Sequence, residues 1–351
     1  MEGPEMLTNR VSPEHTGMSW ADAETVWLPA VANQSVVPFW LPGAGRPLES
    51  ESGSLSNSEG FTLPVRNRKI SLTPLPETLL AASEEEGSQR ALPGLPLPTS
   101  PLHLDAFTCR ILLELQGPSL GLWRAAEIAA LREQSFTRPI LDVGCGDGLV
   151  TSMALSTVDV GLDPDERTLA RAARLGLYEQ FECAPVEEAR LADASFATVI
   201  GNSVLEHLPR VDEALAAIAR LLQPGGKLVL TAPTEAFSHW LTLPVERYVA
   251  WRNRKLAHLN LWSAEQWRRH LEAVGLEVEI VRPYMRRELV MLWDALELLQ
   301  QVRVGRRRLF SLFWRRLPPR FLDRLALQLA RQDLSAQAPG GGRLIVARKR
   351  A

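Results

Sequence analysis

Three glycines at alternate positions, Gly144, Gly146 and Gly148, follow the apolar run at 139–143, and Asp142 stands two residues before the first of them. Glycine lets a chain turn sharply and brings main-chain amides against a ligand with no Cβ in the way. Placed where a strand hands over to a helix, such a loop forms the floor of a crevice for a nucleotide-like ligand. Two common phosphate loops are excluded. No Gly-Lys-Ser/Thr follows, so this is not a P-loop, and the third glycine of the dinucleotide fingerprint would fall at Leu149. The three cysteines, Cys109, Cys145 and Cys183, are far apart and form no CxxC or Cys/His cluster. That argues against a disulfide framework or a structural zinc site, and no metal is expected.

The elements that must hold this loop are legible from periodicity. Residues 139–144 read as a buried strand and 148–155 as the start of a helix. Further strands are expected at 159–163, in EQFECA, at 195–202, at 227–233, in LEVEIVRPY and at 343–349. Between them, PDERTLARAARLG opens with a proline at a helix start, RVDEALAAIARLL is amphipathic, and SAEQWRRHLEAVG carries Ser263 and Gln266 at capping-box spacing. Upstream, LDAFTCRILLEL and LWRAAEIAALREQ have helical spacing, with Gly117 and Pro118 between them. Strands alternating with helices predict an α/β fold: a doubly wound, mostly parallel, Rossmann-like sheet covered on both faces.

Four landmarks in order (the glycine loop, VGLDPD, NSVLEHLPRVDEAL and LLQPGGKLVLTAP) make residues 136–283 closely resemble the class I S-adenosylmethionine-dependent methyltransferases, most of all their small-molecule branch. The resemblance implies seven strands with the last antiparallel, and S-adenosyl-L-methionine as cofactor. It implies cofactor contacts from Asp142, Gly144, Cys145, Gly146, Gly148, Asp163, Pro164 and Asn202. Asp163 matches the acid that binds both ribose hydroxyls, where charge-assisted bonds are strong; an N-cap for the next helix is its alternative role. Asp142 is implied to orient the loop and approach the methionine amino group, or to cap loop amides. Asn202 faces the transferable methyl, and His207 nearby is either a general base or a structural histidine packing the crevice wall. One departure stands out. Pro185 occupies the place where the family often has an adenine-binding acid, and Glu187 or Glu188 either substitutes or is a solvated helix-start charge. The nucleic-acid branch commonly has [DN]PP[YF] where this chain has Asn-Ser-Val-Leu, which argues against methylation of nucleic-acid bases.

Composition sets the remaining bounds. The net charge of -2 conceals an uneven distribution: 16 Lys and Arg against 5 Asp and Glu in residues 282–351, but 17 against 24 in 101–281. Such asymmetry suits an anionic partner for the basic part. Residues 1–101 hold 13 of the 25 prolines, with serine-rich and acidic patches, and are expected to be a mostly disordered extension to a methyltransferase domain at 102–351. No apolar secretory segment opens the chain and no run of eighteen apolar residues occurs, so a cytoplasmic, soluble or peripheral protein is expected. Two insertions hang on the carboxyl edge of the sheet. Residues 234–262, with His239, Trp240, Tyr248 and His258, line the acceptor pocket or pack as a helical cap. Residues 285–341 interleave arginines with Phe310, Phe313, Trp314 and Phe321, as a pocket lid, a membrane contact or an RNA contact. The expected activity is O-methylation of a small or lipid-linked acceptor. Carbon methylation of a quinone- or polyketide-like ring, and a non-catalytic cofactor-binding module docked to membrane or RNA, are the alternatives.

Overall fold

The structure, a computed structural model, describes residues 49–51, 54–56, 62–64, 95, 98, 100–243, 245–304 and 307–350. Most of the proline-rich extension expected at 1–101 lies outside the described residues. Its described pieces are three short strands between residues 49 and 64, paired antiparallel, and a docked end: buried Arg282 donates to the carbonyls of Pro98 and Ser100 and pairs with Glu133.

Seven strands form one sheet: β1 (Ile140–Val143), β2 (Val158–Leu162), β3 (Tyr178–Glu182), β4 (Phe196–Asn202), β5 (Leu222–Pro233), β6 (Leu276–Tyr284) and β7 (Gly342–Lys349). Their order is β3-β2-β1-β4-β5-β7-β6. The first five are parallel, while β7 runs antiparallel to both β5 and β6. The order reverses between β1 and β4, so the loops after these strands open on one crevice at the carboxyl edge.

Strand periodicity assigns the two faces. Leu344 and Val346 of β7 join a core with α1 (Ala106–Arg132), while Ile345 and Ala347 join the opposite core with α4 (Val211–Leu221) and α6 (Ala264–Ala273). Both faces are therefore covered, and each fully buried Leu or Val stabilises the fold by about 1.5–3 kcal/mol. α1 is interrupted where the sequence placed a separator, at Gly117 with φ 77° just before Pro118. The capping box of Ser263 and Gln266 forms in full. The helices α2 (Leu149–Ala154) and α3 (Glu166–Ala172) complete the β1–β3 side.

The insertion at 234–262 forms a 3₁₀ turn (Glu235–Trp240) and α5 (Glu246–Lys255). In the second insertion α7 (Arg287–Gln301) leads into a two-residue hairpin, α8 (Leu309–Trp314) and α9 (Pro319–Ala330). The stretch after residue 304 is thus several elements, and α9 begins at Pro319, a first helical position that suits proline. Tyr248 bolts the two insertions together. Its hydroxyl donates to both oxygens of buried Asp294 (2.8 and 2.9 Å), which also accepts from Arg252 Nε at 2.9 Å. Tyr248→Phe should cost about 2 kcal/mol, the usual worth of a bond to a buried charge, read as a drop in urea midpoint with unchanged slope.

Candidate active site

The loop after β1 needs its glycines for two separate reasons. Gly144, Gly146 and Gly148 all have left-handed backbones, with φ of 64°, 59° and 76°, a region that costs a side-chain-bearing residue about 1–2 kcal/mol. Space is also short: a Cβ on Gly144 would lie 2.5 Å from Val204 Cγ2, and one on Gly148 2.8 Å from Tyr178 Cε2. The loop is pinned to its neighbour by Cys145, whose amide donates to Leu162 O at 3.0 Å. Gly148 N returns to Cys145 O at 3.0 Å, and α2 starts there.

Two buried carboxylates flank this turn. Asp142 Oδ2 accepts from Thr151 Oγ1 and from Tyr178 Oη, both at 2.7 Å, which ties β1 to α2 and β3. Burial, reinforced by the nearby charge of Asp163, pushes its carboxyl up to about 6. Asp163 sits at the end of β2, where its Oδ2 accepts from Gly146 N (3.2 Å) and its Oδ1 from Asp165 N (2.9 Å). It is only 5% exposed, and burial raises its pKa against these two bonds. The N-cap of α3 is Asp165, which accepts from Arg167 N and Thr168 Oγ1, so the capping alternative for Asp163 fails and Pro164 lies outside the helix. After β3, Pro185 heads a 3₁₀ turn (Val186–Glu188); Glu187 pairs with Arg210 at 3.3 Å and Glu188 is exposed.

The end of β4 forms the other wall. Asn202 Oδ1 accepts from Thr231 Oγ1 at 2.8 Å, and its amide approaches Glu127 at 3.5 Å. Glu127, fully buried on α1, also accepts from Trp123 Nε1 (2.8 Å) and Ser203 Oγ and pairs with Arg124. Nothing in the periodicity of LWRAAEIAAL marks it beyond being an acid inside an apolar run. Next, a 3₁₀ turn (Leu205–His207) carries Glu206 and His207. His207 Nδ1–H donates to Ala257 O at 3.0 Å, so the neutral ring keeps its lone pair on Nε2, 3.6 Å from Glu206 Oε1. Burial lowers the His207 pKa and raises that of Glu206 to about 8, the charge of Glu127 adding to the latter. Leu259 N and Asn260 N both donate to Glu206 O, which stitches the first insertion to this turn.

Aromatic rings close around the pair. His258 stacks on His207 at 5.5 Å, and Phe237 meets His258 at 5.2 Å and Trp293 at 5.3 Å. Trp123 contacts Phe237 and Trp293 at 5.6 and 5.5 Å. Of the aromatic and histidine residues singled out in 234–262, His258 therefore reaches the wall. Tyr248 is committed to Asp294, Trp240 is half-buried and His239 is exposed. Among the described residues, several buried polar atoms beside this wall, both Glu206 carboxylate oxygens and Trp293 Nε1 included, have no hydrogen-bond partner. Buried polar groups in native proteins are nearly always paired, so such a concentration marks where a polar ligand or water belongs.

A family model described as a methyltransferase domain matches residues 116–281. The chain is 34% identical over 128 residues to the ubiquinone biosynthesis O-methyltransferase of Idiomarina loihiensis, covering 33% of this chain and 51% of that protein. It is 31% identical over 142 residues to the tRNA U34 carboxymethyltransferase of the same organism, covering 37% and 44% respectively. A solved structure of Haemonchus contortus phosphoethanolamine N-methyltransferase 2 with S-adenosyl-L-methionine superposes with a TM-score of 0.44 at 17% identity, covering 69% of this chain and 60% of that one. The chain spans 37–51% of the length of the first curated relatives it matches.

Proposed function

The chain carries a class I S-adenosylmethionine-dependent methyltransferase domain, and from that premise we propose that it methylates a hydroxyl oxygen of a small or lipid-linked acceptor beneath its two insertions. The observation that supports the acceptor side is the His207 tautomer: with Nδ1–H donated to Ala257 O, the neutral ring carries its basic lone pair on Nε2, the atom that would take a hydroxyl proton. The donor side fits the family's cofactor. A glycine loop with no room for a Cβ at Gly144 or Gly148 lies beside a buried carboxylate that retains accepting capacity after two amide bonds. In this reading Asp163 receives the ribose hydroxyls. The amides of Gly144, Cys145, Gly146 and Gly148 approach the methionine end, with Asp142 fixing the loop and Asn202 facing the methyl. When bound, S-adenosylmethionine supplies a methyl already activated by its sulfonium.

The remaining work is alignment, which in well-oriented systems accounts for about 7–11 kcal/mol of a barrier. The insertions provide it: Phe237, Trp293 and Trp123 wall the acceptor in and exclude water, while His207 Nε2 holds the proton released from its hydroxyl. Glu206 at 3.6 Å stabilises the resulting imidazolium when ionised.

The chemistry of the product tests this. Incubation with methyl-labelled cofactor and lipid or aqueous extracts should give a product whose label resists alkali and is released by ether-cleaving reagents. Label that resists both treatments would replace oxygen by carbon as the acceptor atom. Cofactor binding without labelled product from any extract would favour a non-catalytic module.

A further inference from the structure

We propose that the outer face of α7, α8 and α9 is a docking surface for an anionic lipid bilayer. Among the described residues, seven of the ten exposed large apolar side chains lie in this one insertion: Met291, Leu292, Leu299, Val302, Phe313, Phe321 and Leu327. That concentration requires a cause, since apolar side chains scattered singly over a surface do not. Helical geometry lines up part of it. Leu292 and Leu299 stand at positions i and i+7 of α7, with Val302 just beyond its end, while Leu289, Val290 and Trp293 of the same helix are buried. α9 likewise buries Leu322, Ala326 and Leu329, and turns Arg320, Phe321, Arg324 and Leu327 outward.

The charge identifies the occupant. Arg315, Arg316, Arg320 and Arg324 are exposed and make no ion pair among the described residues; the one acid among them in sequence, Asp323, is paired with Arg110 at 3.0 Å. Phe313 is 61% exposed on α8, which is held from behind by Trp314 Nε1 donating to Leu113 O at 2.9 Å. Arginines without counter-ions beside outward Phe, Leu and Met match a layer of anionic headgroups over hydrocarbon. A polyanion such as RNA would satisfy the arginines but leave the aliphatic stripe of α7 exposed. A second copy of this basic face would cover the stripe but oppose arginine to arginine. No helix among the described residues is long and apolar enough to cross a membrane, so the contact is superficial.

Flotation of the full chain with phosphatidylglycerol–phosphatidylcholine vesicles should show binding that weakens at high salt and is absent with pure phosphatidylcholine. Phe313→Ser combined with Phe321→Ser, and separately Arg315, Arg316, Arg320 and Arg324 each →Gln, should each lower the partition coefficient about tenfold or more. Both variants should keep wild-type melting and S-adenosylmethionine affinity, which separates failure of docking from failure of the methyltransferase reading. No flotation of the folded wild type at low salt, or flotation unchanged in both variants, overturns the proposal. So does tight binding of an RNA oligomer insensitive to the Phe changes, or a stable dimer that masks the face.

Discussion

Asp163→Ala should weaken binding of S-adenosylmethionine and S-adenosylhomocysteine by about a hundredfold or more, the loss of two bonds between a carboxylate and ligand hydroxyls. Titration calorimetry beside thermal melting reads the effect. The expectation rests on an uneven division of labour between neighbouring acids. Asp165 caps α3 through Arg167 N and Thr168 Oγ1, so Asp165→Ala should cost about 1 kcal/mol of stability and leave affinity nearly intact. Asp163 ends β2 with its two oxygens on Gly146 N and Asp165 N. A carboxylate has about four accepting positions, and two are in use. Burial raises its pKa, so its surroundings disfavour the charge and further hydroxyl donors would stabilise it. Affinity retained in a folded Asp163→Ala protein would remove this residue from the cofactor site. Equal losses in both variants would mean that the loop, not the carboxylate, was disturbed.

The same pair of acids shows what the sequence could and could not convey. Strand and helix spacing is local, so all seven strands, the break at Gly117 and the Ser263 capping box were legible, and the antiparallel last strand followed from the family likeness. Which of two aspartates two residues apart caps a helix depends on a single turn of backbone, and VGLDPD does not reveal it. Partners distant in sequence were equally hidden. Glu127 meets Ser203 across 76 residues and Tyr248 meets Asp294 across 46, because burial, rather than periodicity, selects them. The glycine loop was legible for the opposite reason: left-handed φ at three alternate residues leaves a compositional mark that no packing choice can erase.

Glu206→Gln should make the protein more stable at alkaline pH, with a gain that grows from nearly nothing near pH 4.5. Glu206 is fully buried, and burial, with the charge of Glu127 beside it, holds its carboxyl at about 8 against 4.5. The folded state therefore keeps a proton that the unfolded chain has already released across this window, and stability falls as pH rises through it. The full cost above pH 8 is on the order of 5 kcal/mol. Glutamine approximates the protonated side chain and cannot ionise, so urea midpoints of the two proteins should diverge steadily between pH 5 and 9. A difference independent of pH would mean that Glu206 is ionised in the folded protein, with the charge of Arg124 favouring that form. Turnover supplies a second readout under the proposed mechanism. Ionised Glu206 stabilises the His207 imidazolium from 3.6 Å, so the rate should rise through a limb near pH 8 in the wild type. That limb should vanish in Glu206→Gln even though the variant is the more stable protein there, as expected when a buried acid is kept for its charge rather than for the fold.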